Sequence, residues 1–514
     1  MFKRLMTAVR EVFRKMSDFV RGIRRINELA DIYINEEMYD AIEIWKFIYI
    51  GYYKPWHDIR FHTIEGEKRR RMDSLNMAKV VSSEMASLVF DEKCEISASD
   101  EALKANLEMV FKQNDFHRTF QKQLEYSFAM GGLIALPYVD NNQICISYIN
   151  PDCFIPVSWS NDMITEGVFI NETRKGKWIY THLSWHMQSV NQVGQSGYTI
   201  KNQLFRRDAN IRVENEVLGT EIFLGELYPG LDEIVDIHPL DKPLFSYFKP
   251  NIANNVDLHT PLGISLYANA LHTMHAIDTA FDSLHREFRL GKKKIMVPVE
   301  MIKTVVDPQT GETHRYFDTS DETFVGYKGD MDPNGNAVKD ISAELRVEEH
   351  IAALNALLDL FAMQTGFSSG TFIFDGQSVK TATEVISENS KTFKSKKSHE
   401  IIVEAGLKHL IGSIIALAGN YELFNAPDEY EITIQFDDSI IEDRDAELQN
   451  IIQEVSNNLT PRKIAIMRYH GLTEEEADQW MQDIAEENAN AVAEQMDMFG
   501  MGGQNAPPDD EDDT

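Results

Sequence analysis

Ser342 to Ser390 reads SAELRVEEHIAALNALLDLFAMQTGFSSGTFIFDGQSVKTATEVISENS. Its first half repeats apolar residues by threes and fours. Leu345, Ile351, Leu354, Leu358 and Phe361 share one face, which predicts a helix from about Ser342 to Thr365 that stops at Gly366. A glycine-bearing segment from Phe367 to Val379 follows, in which Thr371 to Phe374 reads as an apolar extended run. Thr381-Ala-Thr-Glu384 then has the form of a capping box, which satisfies free amides at a helix start. With no proline before Pro427, the new helix can run to about Gly419, roughly 38 residues or about 57 Å at about 1.5 Å per residue. Its first half is basic (Lys391, Lys394, Lys396, Lys397) and its second half apolar (Ile401, Leu407, Leu410, Ile411, Ile414), so one end is expected to be buried and the other to project.

Upstream, Pro261-Leu-Gly263 precedes another helical pattern, Ile264 to Leu290, with Gly291 as its C′ residue. Between the two helices lies a β-rich insertion from Lys292 to about Lys339, with a hairpin turn at Asp307 to Gly311. Two long helices flanking a small β module are the main architectural signal. Before them, Leu133 to Glu226 reads as short antiparallel strands, with a turn at Arg174 to Lys177 and an exposed loop at Asn191 to Gly197. Ile32 to Phe116 is mostly helical, with the stripe Met77, Val81, Met85, Leu88 and Val89 and a packing cluster of Trp45, Phe47, Tyr49, Tyr52, Tyr53 and Trp56. After the long helix come a strand, Tyr430 to Phe436, a small helical unit opened by Thr460-Pro461, and an acidic tail from Asp509 to Asp513 that reads as disordered.

The chain has 514 residues, too many for one core, and its 43% hydrophobic and 26% charged content is that of folded domains. Cys94, Cys145 and Cys153 form no CxxC pair and no even-numbered framework, which predicts free thiols in a reducing compartment. Met1 to Arg25 carries eight Lys/Arg against Glu11 and Asp18, with apolar residues at helical spacing, and reads as a basic amphipathic helix over 1–30. Its partner could be a protein, nucleic acid or an anionic surface, or a bilayer. No run of about 18 apolar residues occurs, so no membrane span is expected. A net charge of -32 excludes a protein that coats DNA through clustered cations.

Catalytic lookalikes fail on context. Gly366-Phe-Ser368-Ser-Gly370 fits G-x-S-x-G, but a helix end precedes it where a nucleophile elbow needs a strand, so it reads as a helix stop. Asp330 to Gly335 starts like a calcium loop, yet its twelfth position is Ile341 and not glutamate, which leaves a turn. His272, His275 and Asp278 lie three apart on one helix without a second ligand segment, and read as packing. There is no G-x-x-x-x-G-K-[ST] and no H-E-x-x-H. No catalytic residue, metal ligand or cofactor is expected. The basic clusters Lys68 to Arg71, Lys292 to Lys294 and Lys391 to Lys397 read either as solvated faces or as local contacts to phosphates or an acidic partner.

In order and length the chain resembles the portal proteins of tailed double-stranded DNA bacteriophages, in the branch found in long-tailed phages of Gram-positive bacteria. The residues that carry the resemblance are Leu75 to Phe90, Gly263 to Pro298, and above all Gly366-Phe-Ser-Ser-Gly370 with Lys380 to Ser390. It implies an α+β portal fold, mainly helical: a wing over 31–262, a stem helix over 263–291, a small α/β clip over 292–340 and a second stem helix over 341–366. A channel loop over 367–380, the long helix and a wing return strand over 381–442, a helical crown over 443–498 and a tail over 499–514 would complete it. It further implies a homo-oligomeric ring, typically a dodecamer, at a capsid vertex of the virion, assembled in the host cytoplasm and passing double-stranded DNA without reading its sequence. The terminase large subunit, a head-tail adaptor and the major capsid and scaffolding proteins would be its partners. Gly376, Gln377, Ser378, Val379 and Lys380 would lie in the channel loop, Lys391, Lys394, Lys396 and Lys397 would face the channel, and Lys292, Lys293 and Lys294 would dock partners. The alternatives are another head or scaffolding component, or a DNA-processing enzyme; the latter needs a carboxylate cluster for Mg²⁺, which the spacing does not offer.

Overall fold

The structure is a computed structural model. It describes residues 34–291 apart from 64, 65, 92, 191–193, 210–217 and 241; within 292–343 only 295–298, 304–306, 313–315, 324–327, 339 and 340; then 344–373, 382–436 apart from 428, and 451–485 apart from 458 and 471–476. The helix read over 1–30, the Asp330 turn and the acidic tail lie outside the described residues. Those described mix helix and sheet, as an α+β chain does. Two compact units divide the chain: Met1–Ser378 with Glu388–Asp437, and Val379–Ser387 with Asp438–Thr514.

Among the described residues the first unit opens with four longer helices and a single helical turn at Lys54–His57. In α1 (Glu36–Tyr49) the Asn35 side chain accepts from the Glu37 amide, and Met38, Ile42 and Trp45 are buried at helical spacing. In α2 (Met77–Val89) Met77, Val81, Met85 and Val89 of the expected stripe are buried and Leu88 is half-buried. Phe90 after α2, Phe111 of α3 (Glu101–Gln113), and Phe116 and Phe120 of α4 (Phe116–Met130) form an aromatic column with centroids 4.7–5.1 Å apart. Edge-on and stacked rings of this kind contribute beyond their buried area.

The hairpin of β1 (Asp58–Thr63) and β2 (Gly66–Arg71) follows α1. The later strands build the β region read from Leu133 to Glu226. β4 (Leu133–Asp140) lies between β5 (Gln143–Ile149) and β12 (Ser246–Phe248). The Asn114 side chain donates to the Ile144 carbonyl (2.8 Å) and accepts from the Ile146 amide (2.9 Å), so it occupies the free edge of β5 as a neighbouring strand would. A six-stranded antiparallel sheet runs through β6 (Phe154–Ser160), β7 (Met163–Lys175), β8 (Trp178–Val190) and β9 (Ser196–Asp208), with β10 (Thr220–Ile222) and β11 (Ile234–Ile237) both on β9. The turn expected over Arg174 to Lys177 is tighter. Lys175 pairs with Trp178, leaving a two-residue turn in which Gly176 takes φ +59°, as hairpin twist requires.

The helix expected from Ile264 begins at Leu271, as α5 (Leu271–Leu290), after a turn of 3₁₀ helix at Ala268–Ala270. Ile264, Leu266 and Tyr267 are buried as the spacing demanded, but in a non-helical segment held elsewhere: the Leu266 amide donates to the Phe128 carbonyl (2.9 Å) and the Tyr267 hydroxyl to the Trp45 carbonyl (2.9 Å). Gly291 caps α5 at φ -78°, not in the left-handed region expected of a C′ residue. Strands β13 (Ile295–Pro298), β14 (Thr304–Val306), β15 (Thr313–Arg315), β16 (Phe324–Tyr327) and β17 (Lys339–Asp340) make up the β-rich insertion; β14 and β15 pair across residues 307–312, where the hairpin was read. α6 (Val347–Gln364) starts later than expected and leaves Leu345 exposed.

The long helix α7 (Ala382–Asn420) has 39 residues, close to its expected length. Val403, Leu407, Leu410, Ile411 and Ile414 are buried in the first unit, whereas Ile401 is 64% exposed and does not belong to that face. Residues 391–420 are apolar enough by length and composition to cross a membrane, but this apolar face is covered by the chain itself, as in a core helix. After α7, β18 (Ile432–Gln435) pairs with β3 (Glu95–Ala98). In the second unit, residues 451–456, Arg462–His470 and 477–485 are helical; Lys463 meets Asp478 at 2.8 Å and the His470 ring lies 4.9 Å from Trp480.

At the junction of α4, β4, β12 and the segment leading to α5, two glycine backbones touch. A Cβ on Gly263 would lie 2.4 Å from the Gly131 oxygen, and one on Gly131 2.6 Å from the Gly263 oxygen. The buried Tyr247 hydroxyl donates to the Gly131 carbonyl (3.3 Å) and accepts from the Gly263 amide (3.1 Å). Burial pushes its phenol up, so it stays a donor. Gly263→Ala should therefore destabilise the protein by about 2–3 kcal/mol through overpacking, and Tyr247→Phe by about 1–2 kcal/mol through two orphaned backbone groups, both measured by chemical denaturation. An unchanged midpoint for Gly263→Ala would show that the crossing is not tight.

Candidate functional site

Helices α5 and α6 run antiparallel, and the ends from which the β insertion departs are tied together. Arg346, just before α6, donates two hydrogen bonds to the Glu287 carboxylate of α5 (3.2 and 3.3 Å), which hold that carboxyl below its ordinary range. A Cβ on Gly291 would lie 2.3 Å from Leu345 Cδ2, so the Leu345 side chain packs on the Gly291 backbone. One face of α6 buries Leu354, Leu358, Phe361 and Ala362. The other carries Ala352, Ala353, Ala356, Leu360 and Met363, spaced by threes and fours and exposed, with Met363 at 55%. Among the described residues nothing covers this second apolar face.

α5 is fixed to the rest of its unit by two buried carboxylates one turn apart. Asp278 accepts from the Leu75 amide (3.1 Å) and lies 3.4 Å from His57 Nε2. Asp282 takes both guanidinium nitrogens of Arg70 at 2.5 Å and the Asp73 amide at 3.1 Å. Burial alone would raise the Asp282 carboxyl; the Arg70 and Asp73 hydrogen bonds and the Arg70 charge outweigh it and hold the group below its ordinary range. Much of the basic cluster at Lys68 to Arg71 is thus consumed internally. Arg71 donates to the Gly51 carbonyl and lies over the Tyr52 ring, and Arg69 approaches Asp58 at 3.8 Å. His275 packs against Trp56, so His272, His275 and Asp278 are not drawn together as ligands. Asp278 and Asp282 were missed in the sequence as anchors because Arg70 and Asp282 are 212 residues apart and nothing local marks them as partners.

α6 ends as its sequence predicts. Gly366 takes φ +85°, and the Phe367 amide turns back to the Ala362 carbonyl (2.8 Å). Ser368, the nucleophile lookalike, is buried against α7. Its amide donates to Thr392 Oγ1 (2.8 Å), while its hydroxyl accepts from the Thr392 amide (3.2 Å) and hydroxyl (3.1 Å). The hydroxyl is engaged by a threonine, not by a base, so the glycine-rich segment is a helix stop. The run expected to be extended is a turn instead. The Gly370 amide donates to Asp359 (2.7 Å) and the Thr371 hydroxyl to the Ser368 carbonyl (2.7 Å), and Phe372 folds back on Phe367, centroids 5.1 Å apart. Phe372 covers the end of α6, and among the described residues no strand pairs with 371–373.

The basic first half of α7 divides by face. Lys391 is exposed and donates to the Met363 carbonyl; Lys394 is exposed; Lys397 is 41% exposed, 3.2 Å from Glu400 and over the Phe393 ring. Lys396 is the correction. Its side chain is 0% exposed, with the ammonium 3.0 Å from Glu400, so it faces no channel. Five residues beyond Lys391 is about 140° round a helix of 3.6 residues per turn, which carries it to the opposite, buried side. His399, next along, is buried, and burial lowers it to about 4, so the neutral ring accepts from the Asn251 amide (3.0 Å). Gly376, Gln377, Ser378, Val379 and Lys380, and Lys292, Lys293 and Lys294, lie outside the described residues.

A family model described as phage portal protein, SPP1 Gp6-like, matches residues 17–490. No curated protein matches the chain.

Removing Arg70 would leave Asp282 charged and buried. Because the Arg70 side chain is 22% exposed, Arg70→Ala should cost about 3 kcal/mol, the low end for breaking a buried pair. The sign with pH follows from the depressed carboxyl: its contribution is present above the unfolded carboxylate range and lost as pH falls through the folded value. Thermal melts between neutral and acid pH should therefore converge for wild type and Arg70→Ala on the acid side; a constant difference would place the effect in packing.

Proposed function

The chain belongs to the phage portal proteins of the SPP1 Gp6-like family, and on that premise we propose that it forms a closed homo-oligomeric ring, a dodecamer, whose axial hole passes double-stranded DNA during packaging and ejection. The family is structural and its members are virion components. In this reading α5 and α6 are the stem, residues 292–340 the clip that docks the terminase large subunit and later the head-tail adaptor, and 31–262 the wing facing the major capsid and scaffolding proteins. Residues 367–380 are the channel loop, with Gly376 to Lys380 at its reach. Residues 381–442 return to the wing, and 443–498 form the crown.

The observation that carries the proposal is the uncovered face of α6. Leu354, Leu358 and Phe361 are spent on the chain's own core, while Ala352, Ala353, Ala356, Leu360 and Met363 form a second apolar stripe with small residues that admit close approach. A hairpin with two apolar faces suits a head-to-tail contact that closes on itself. The charge fits a conduit as well. At -32 the chain repels a polyanion, and on the first half of α7 the exposed Lys391 and Lys394 and the partly exposed Lys397 touch phosphates weakly enough for DNA to slide.

Electron microscopy with sedimentation should show rings of about twelve copies with an axial hole, the closed outcome of a heterologous contact. Ala356→Arg with Leu360→Arg should leave monomers with unchanged circular dichroism. A ring that survives both changes would move the interface off α6. Lys292, Lys293 and Lys294 changed together to glutamate should spare the ring and weaken terminase or adaptor docking; unchanged affinity would remove that assignment.

A further inference from the structure

The two halves of α7 meet different parts of the first unit. The second half buries Leu407, Leu410, Ile411 and Ile414 and is placed by the Ser246 hydroxyl at His409 Nδ1 (2.8 Å), by the Ser413 hydroxyl donating to the Pro243 carbonyl (3.2 Å) and by Gly406 against the Phe248 ring. The first half is held by polar contacts at Thr392, Ser395, Ser398 and His399, spaced along one side of the helix. Thr392 meets Ser368, Ser395 lies against Gly366 so closely that a Cβ there would be 2.7 Å from its hydroxyl, and Asn251 donates from its amide to His399 and from its side chain to Ser398. Between them the buried Lys396 and Glu400 pair with each other within the helix, so they remain paired wherever α7 moves. Glu400 is buried, which sets it on the core side of the helix.

The Ser368–Thr392 contact is reciprocal. Each backbone amide donates to the other residue's hydroxyl, and the Thr392 hydroxyl donates to that of Ser368. Because both amides are fixed by their own backbones, this arrangement is satisfied at one axial position and one rotation of α7 only. A shift by a single residue leaves the buried Ser368 amide without its acceptor.

We infer that Ser368 and Thr392 are positioning residues: together they lock the register of α7 on the end of α6. The lock is made of neutral groups, so it is insensitive to salt while charged contacts elsewhere are screened. Its consequence for DNA passage rests on the channel reading, since α6 and α7 bracket the segment assigned to the loop; the lock itself does not depend on it.

Hydrogen exchange on the full-length protein tests the lock without requiring a ring or DNA. Ser368→Ala and Thr392→Val should each raise exchange about tenfold at both 361–373 and 391–400, as expected for loss of about one net hydrogen bond from a local opening. The double variant should match either single one, because one cooperative contact is lost. Thr392→Ser, which keeps the hydroxyl, should restore protection. Exchange confined to the mutated segment, or additive effects in the double variant, would overturn the proposal. If a variant fails to fold, the coupling is read from Thr392→Ser against wild type, where loss of protection despite the retained hydroxyl also counts against it. Loss of the ring in electron microscopy with these exchange patterns intact would sink the channel reading and leave the lock standing.

Discussion

Gly131 and Gly263 cross with no room for a side chain between them, and the rest of the first unit depends on that contact. The crossing joins the end of α4 to the segment that leads into α5, and Tyr247 from β12 bonds both backbones from one hydroxyl. Three elements distant in sequence are thereby brought to one point. The backbone before α5 is then spent on Phe128 and Trp45, which is why the helix starts at Leu271 although its apolar spacing begins earlier. From that fixed root α5 carries Asp278 and Asp282 past the β1–β2 hairpin, where His57 and Arg70 meet them.

Charge in this chain does two separate jobs. The surplus of carboxylates makes the whole repulsive to a polyanion. The clustered cations are used largely within the fold: Arg70 and Arg71 tie the hairpin to α5 and to Gly51, and Lys396 sits in the core with Glu400. A buried pair of this kind adds little net stability because desolvation offsets the attraction, but breaking it is costly. Among the described residues, few cations are therefore left at the surface of the first half of α7.

The order of the helices and the length of α7 were legible in the sequence, and so was the β insertion between α5 and α6, whereas α5 and α6 both begin later than their apolar spacing does. Periodicity located the buried stripes of α2 and α6 and the apolar half of α7, and glycine chemistry located the stop at Gly366. Motif context was enough to read Ser368 as a helix stop before its hydroxyl was seen in the hands of Thr392. The errors were of one kind. Ile264, Leu345, Ile401 and the run from Thr371 were placed by local pattern in helices, faces or strands that their neighbours in space do not permit.

What the sequence determined alone is what depends on nearby residues: period, caps, turns, composition and charge, together with the family resemblance that these features in order express. The tertiary structure decided which side of a helix was free. Lys391 and Lys396 look alike in sequence, yet one is exposed and the other fully buried, and Arg70 looks like a surface cation until Asp282, 212 residues away, accepts both its nitrogens. Local backbone preference repeats every few residues and can be read along the chain; burial and pairing are set by whichever distant segment the fold brings alongside, and no local pattern encodes its identity.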